Sequence, residues 1–117
     1  MAIKRGEIYF VDLNPVKGRE TGGTNPRPVL VLSIDTINNS PLVVTVVIGT
    51  KGENITKDYP TNVRVPPLAS GLPKETVFLC FQIRSLDPSR FPAKAAGRLS
   101  GKLLETVENK VRYCLGL

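Results

Sequence analysis

The apolar residues of this chain fall into short segments separated by clusters of Gly, Pro, Asn, Asp and Ser. Short segments rich in β-branched and aromatic residues predict β-strands, and the clusters between them predict turns. Five segments have this pattern: 7–13, 28–34, 42–48, 61–65 and 76–86. Segment 89–99 fits either a further short strand or an irregular cover, and segment 35–41 has the composition of a turn.

The C-terminal segment changes to a helical period and predicts an amphipathic helix over residues 101–115. Its apolar stripe consists of Leu103, Leu104, Val107, Val111 and Leu115. Ser100 is the predicted N-cap, and Gly116 the predicted C-cap. Five or six strands followed by one helix predict a mainly β fold, a small barrel with a C-terminal helix.

The length of 117 residues predicts a single domain over residues 1–117. A core of this size gains from burial against a second subunit, so we expect a homodimer. The chain has 16 Lys+Arg against 10 Asp+Glu, a formal charge of +6, which favours a polyanionic partner, nucleic acid ahead of membrane. Because it lacks an apolar run of roughly 18–20 residues and a signal-peptide pattern, we expect a cytosolic protein without a membrane partner.

The chain has no histidine and only two cysteines, Cys80 and Cys114, which form no C-x-x-C motif. This excludes a histidine base beside a serine or cysteine nucleophile and leaves too few ligands for a zinc site. We therefore expect no metal and no cofactor, and two core or near-surface cysteines. Any acid–base chemistry must use Arg, Lys, Glu, Asp, Thr, Ser or Tyr.

The glycine-rich loop 18–23 is the strongest candidate for a site, because it carries Arg19 and Glu20 and leads to the apolar strand 28–34. Arg27 stands between two prolines at the start of that strand, which restricts its backbone and suits a residue that must be held in place. The alternative is a long hairpin loop with solvated charges.

Several motifs in the chain resemble the MazF/PemK family of bacterial toxins. They are RGEIYFVDLNP at 5–15, GRE at 18–20, GG at 22–23, RPVLV at 27–31 and QIRSLD at 82–87. The resemblance covers nearly the whole chain. It implies an SH3-like barrel that forms a homodimer. It also implies a metal-independent, sequence-specific endoribonuclease that cuts single-stranded mRNA, and a MazE-like antitoxin whose acidic, disordered tail covers the RNA groove.

The resemblance also implies three catalytic residues, Arg27, Thr50 and Glu20. In such a reaction the RNA 2′-OH attacks the adjacent phosphate and leaves 2′,3′-cyclic phosphate and 5′-OH ends. Arg27 is the candidate phosphate clamp and acid, Thr50 a second donor, and Glu20 the candidate general base if apolar walls surround its carboxylate. Alternatively, Glu20 only pairs with a neighbouring arginine, and Thr50 is only a turn hydroxyl.

Five further polar residues are candidates for holding RNA. Lys17, Arg19 and Lys51 would contact phosphates without reading sequence. Asn25 and Gln82 would hydrogen-bond the base edges that single-stranded RNA exposes.

The sequence departs from the family pattern at two places, both near the RNA groove that the resemblance implies. Thr24-Asn25-Pro26 separates Gly23 from Arg27, two residues more than the family's Gly-Gly-x-Arg-Pro. Phe81 replaces the acidic residue that commonly precedes the late-strand glutamine, and Leu79 and Phe81 replace the Arg and Asp of the PemK-like branch.

Two other functions compete with the ribonuclease. A gyrase poison of the CcdB type ends in Trp-Gly-Ile, whereas this chain ends in Leu115-Gly116-Leu117 and has no Trp. A catalytically inactive module that binds RNA or antitoxin is supported only by the two departures.

Overall fold

A computed structural model describes residues 2–23, 25–40 and 42–117. Thr24 in the lengthened loop and Pro41 in the predicted turn lie outside the described residues, as does Met1. The strands are β1 Glu7–Val11, β2 Arg27–Val31, β3 Val44–Lys51, β4 Asn62–Val65, β5 Thr76–Leu86 and β6 Gly97–Arg98. The α-helices are α1 Asp35–Asn38, α2 Pro67–Ser70 and α3 Gly101–Leu115.

The strands form one antiparallel sheet in the order β4-β5-β3-β2-β1-β6, an open half-barrel against which α3 packs. This confirms the predicted mainly β fold with a C-terminal helix. Hydrophobic side chains pack on both faces of the sheet. Val29 and Val31 join Tyr9 in one cluster, whereas Leu30 of the same strand joins Ile8 and Val107 of α3 in the other. The unbroken apolar run is therefore explained by burial on both faces.

The predicted bounds of β5 and α3 match the structure, but those of β3 were wrong at both ends. Gly49 was predicted to begin a loop, whereas the strand continues through it to Lys51. A side chain at Gly49 would press on the Phe78 ring, whose nearest atoms would lie 3.1 Å from its Cβ. Glycine here serves close packing, and Thr50 consequently lies in the sheet, paired with Val77.

Other differences lie in the connecting segments. The turn predicted at 35–41 contains the short helix α1, and segment 89–99 contains the two-residue strand β6. Ser100 precedes α3 in an extended conformation but makes no side-chain cap, whereas Gly116 ends the helix at φ 72° as predicted. Arg5 connects α3 to the sheet. Its side chain donates a hydrogen bond to the carbonyl oxygen of Leu32 and forms an ion pair with Glu108 of α3.

Candidate functional site

The glycine-rich loop is fastened to β5 by the side chain of Gln82. Its Oε1 accepts a hydrogen bond from the backbone N–H of Thr21 at 2.8 Å, and its Nε2 donates to the carbonyl oxygen of Arg19 at 3.4 Å. On the other side of the loop, Asn14 Nδ2 donates to the carbonyl oxygen of Gly23 at 2.6 Å. The loop is thus held at both ends by side chains from the sheet and its edge.

Arg27 is held by the loop that precedes it. Its Nε donates to the carbonyl oxygen of Gly22 at 2.7 Å. A Cβ at Gly23, where φ is 122°, would lie 3.0 Å from Arg27 Nη2, so glycine permits the close approach. Because Nε is used within the protein, the two terminal nitrogens are the ones that remain for a ligand.

Two concave surfaces hold all the predicted site residues except Thr50. The first, of about 630 Å³, we call the loop groove; it is lined by Lys17, Arg19, Glu20, Phe81, Gln82 and Arg84, with Ile48 and Ile83. The second, of about 430 Å³, we call the arginine pocket; it includes Asn25, Arg27 and Lys51 among its lining residues. All five predicted RNA-binding residues therefore line one or the other.

Thr50 lies at the same end of the sheet as Arg27. The β2–β3 register pairs Val29 with Ile48, and Arg27 and Thr50 each lie two residues beyond this pair, toward the same end of the sheet. Thr50 is 6% exposed, and its Oγ1 accepts a hydrogen bond from Asn54 Nδ2 at 2.9 Å. It is a strand residue held by a partner, rather than a turn hydroxyl.

Comparisons with known proteins bear on this arrangement. Residues 4–115 match the family described as PemK-like, MazF-like toxin of type II toxin–antitoxin systems. The chain belongs to this family. It is 40% identical over 116 residues to an endoribonuclease MazF from Staphylococcus epidermidis, an alignment that covers 98% of this chain and 92% of that protein. The predicted family and the predicted enzyme class, endoribonuclease, are thereby confirmed.

The fold is that of solved MazF structures. A crystal structure of MazF from Deinococcus radiodurans has a TM-score of 0.82 and 27% identity, and covers 100% of this chain and 99% of that one. A MazE–MazF complex from the same organism has a TM-score of 0.73 at 25% identity, with 100% and 99% coverage. Across the residues that the structure describes, no helix is long and apolar enough to span a membrane.

Glu20, the base suggested by the MazF/PemK resemblance, is exposed in the loop groove. Its Oε1 accepts a hydrogen bond from the backbone N–H of Lys17 at 3.1 Å. Within the described part of the chain, no ion pair joins Glu20 to Arg19 or Arg27, and no hydrogen bond joins it to Thr50. Phe81 and Ile83 line the same groove, but they do not enclose the carboxylate.

Two residues near the site, Arg84 and Asn54, had been given no role from the sequence, and Phe81 had been noted there only as a departure from the family pattern. Arg84 lines the loop groove and donates to the carbonyl oxygen of Leu13 at 2.6 Å. Its position two residues after Gln82, in the same family motif, could have indicated that it lies at the site. Phe81 is 52% exposed in the same groove, where the family commonly has an acid. Asn54, the partner of Thr50, lies in a polar segment that carried no signal.

Two titratable groups near these elements have structural roles. Burial raises the pKa of the Cys80 thiol to about 12, which agrees with its predicted place as a core cysteine. Hydrogen bonds from Ser89 lower the pKa of Asp87, whose carboxylate accepts from the Ser89 N–H at 2.8 Å. Asp87 thus caps the turn that follows β5.

Proposed function

We propose that this toxin is a metal-independent, sequence-specific endoribonuclease that cuts single-stranded mRNA in the cytoplasm. The observation that carries the proposal is the fixed guanidinium of Arg27. Its Nε is bound to the carbonyl oxygen of Gly22, and its strand position is at the same end of the sheet as Thr50. A planar fork with two remaining nitrogens matches two oxygens of one phosphate.

In the proposed reaction the 2′-OH attacks the adjacent phosphorus, and the bond from phosphorus to the 5′-oxygen breaks. Arg27 and Thr50 stabilise the negative charge that develops on the phosphorane oxygens; one such donor contributes on the order of 3–4 kcal/mol. Glu20 is the carboxylate assigned to take the proton of the 2′-OH; because the protein leaves this carboxylate exposed in the loop groove, the role requires bound RNA to cover it. The acid role suggested for Arg27 is not kept, because a guanidinium does not lose its proton in proteins, and the leaving 5′-oxygen obtains its proton from water. The products are a 2′,3′-cyclic phosphate and a 5′-OH.

In this proposal RNA contacts both concave surfaces. Lys17 and Arg19 in the loop groove and Lys51 in the arginine pocket hold phosphates. Asn25 reads a base edge beside Arg27. The amide of Gln82 is already bonded to the loop backbone. To bond a base edge it must give up these hydrogen bonds, so its contact with RNA requires the loop to move.

We further propose a homodimer that is inhibited by a MazE-like antitoxin with an acidic tail. MazF of Deinococcus radiodurans has been crystallised with MazE, and the charge of +6 here suits an acidic segment. Ile34, Ile37, Leu42 and Val43 are apolar and between 41% and 69% exposed, which is the kind of surface that a homodimer buries.

Primer extension on a long RNA of mixed sequence tests the proposed function. Wild-type protein and Arg27→Ala are each incubated with the RNA in EDTA. We expect discrete stops at one sequence motif with wild type only. A folded wild-type protein that binds this RNA and gives no stops with EDTA or with Mg²⁺ would instead be an inactive binding module. Stops that appear only in a parallel reaction with Mg²⁺ would contradict the metal-free reaction.

A further inference from the structure

The turn that follows β3 is held by Arg64, whose guanidinium makes four hydrogen bonds. Arg64 of β4 donates to the carbonyl oxygens of Gly52 and Ile55, at 3.2 and 2.6 Å. It also donates to the carboxylates of Asp58 and Glu75, at 2.9 and 2.8 Å. A single guanidinium thus joins both ends of the turn to the start of β5.

The backbone of the turn is bound independently of Arg64. The Gly52 N–H donates to the carbonyl oxygen of Glu75 at 2.8 Å, and the Ile55 N–H donates to that of Gly52 at 3.1 Å. A Cβ at Gly52 would overlap the side chain of Glu75, which would have to move from its present position beside the turn. Asn54, the last residue of this turn, therefore has a defined position although its side chain is exposed.

Asn54 uses that position to reach back to the strand. Its Nδ2 donates to Thr50 Oγ1 at 2.9 Å, and Thr50 is nearly fully buried. A hydroxyl has one proton to donate and two lone pairs that accept. When one lone pair is occupied by an amide N–H, the hydroxyl proton must point away from Asn54.

We propose that Asn54 is a positioning residue that orients the hydroxyl of Thr50 as a hydrogen-bond donor toward the scissile phosphate. The inference rests on the proposed ribonuclease function and adds a residue to it. Arg64 and Gly52 hold the turn that contains Asn54, Asn54 holds Thr50, and Thr50 lies at the same end of the sheet as Arg27. Preorganised donors of this kind act without reorientation at the moment of reaction.

The test measures single-turnover cleavage of an RNA oligonucleotide that contains the cleavage motif. Asn54→Ala lets the hydroxyl rotate, so the rate at saturating enzyme should fall about fivefold, the factor that corresponds to about 1 kcal/mol for one neutral hydrogen bond. Affinity for the same oligonucleotide with 2′-deoxyribose at the cleaved position should be unchanged, because Asn54 acts on Thr50 and not on RNA.

A second variant separates orientation from folding. The ionised carboxylate that Asn54→Asp introduces only accepts hydrogen bonds, so it turns the Thr50 proton away from the phosphate. We expect Asn54→Asp to be slower than Asn54→Ala. Lys57→Gln, which lowers the net charge by the same amount in the same exposed segment, should keep a rate close to wild type.

Three results would overturn the inference. A wild-type rate in Asn54→Ala excludes a positioning role. Weaker binding with an unchanged rate at saturation makes Asn54 an RNA contact. An Asn54→Asp variant as fast as wild type shows that only the turn conformation matters. If wild type itself cuts no RNA, the proposed function fails and this inference falls with it, a result distinguishable because every variant is then equally inactive.

Discussion

Gln82 and Thr21 are joined by a hydrogen bond of 2.8 Å from the Thr21 N–H to Gln82 Oε1, although 61 positions separate them in the sequence. The same side chain reaches a second point of the glycine-rich loop, since Gln82 Nε2 donates to the Arg19 carbonyl oxygen. One residue in the middle of β5 thus binds the loop backbone twice. Movement of the glycine-rich loop away from β5 must therefore break both hydrogen bonds.

Gln82→Ala removes both hydrogen bonds between the loop and β5, and we expect the loop to become more mobile. Amide hydrogen exchange of Thr21 should accelerate, because its N–H loses its acceptor. RNA cleavage should show a raised KM and less selective sites. Gln82→Glu retains the acceptor for Thr21 and serves as the matched control. Unchanged exchange at Thr21 in Gln82→Ala would contradict the tether.

Arg27→Lys tests whether geometry or charge matters at the phosphate. Lysine keeps the charge, but a single ammonium cannot bond the Gly22 carbonyl and present a two-nitrogen fork. We expect kcat to fall by about 100-fold or more, as for loss of a preorganised donor, without loss of thermal stability. Arg98→Lys makes the same exchange on the edge strand β6 and should leave kcat unchanged. Similar activities for the two variants would exclude a bidentate role.

Gly97→Ala should destabilise the fold where β6 passes helix α2. A Cβ at Gly97 would overlap the backbone carbonyl oxygen of Ser70, which cannot move aside as a side-chain end could. Overpacking of this kind costs about 1–3 kcal/mol in the free energy of unfolding, measurable by denaturant titration. Gly101→Ala, with φ 57° and no atom within 4 Å, isolates the cost of the left-handed conformation, about 1 kcal/mol. A Gly97→Ala protein as stable as wild type would be inconsistent with this contact.

Cys80 should make stability fall at alkaline pH. Burial raises the pKa of its thiol from 9.0 to about 12, so the unfolded chain ionises first. The contribution to stability is complete below about pH 9 and decreases as pH rises toward 12, by at most about 1.4 kcal/mol per pH unit. Unfolding titrations at about pH 8 and pH 11 should show a smaller decrease in Cys80→Ala than in wild type or Cys114→Ala. Equal decreases in all three would refute this account of the thiol.

Strand and helix content could be predicted because burial imposes a period on the sequence. Residues 76–86 and 101–115 were located to the residue, since their apolar patterns are long and bounded by turn or capping signals. The end of β3 could not be predicted. Gly49 is a strand residue that pairs with Phe78 of β5, a contact between distant segments that the local sequence does not indicate.

The candidate site was predictable in its residue types but not in its connections. Arg27 stood out through its prolines and the family motif, and it lines a pocket. Gln82 was predicted to face RNA, and nothing local indicated that its amide binds the loop backbone. Asn54 resembled any polar loop residue, because its significance comes from a turn that Arg64 fixes from another strand.

In the proposed reaction the RNA's own 2′-OH is the nucleophile, and Arg27 and Thr50 stabilise the resulting phosphorane. Two oligonucleotides that contain the cleavage motif test it most directly: one all ribose, the other with a single 2′-deoxyribose at the cleaved position. In EDTA, we predict cleavage of the first to a 2′,3′-cyclic phosphate and no cleavage of the second. Cleavage of both would contradict the account, because an external nucleophile would then be at work.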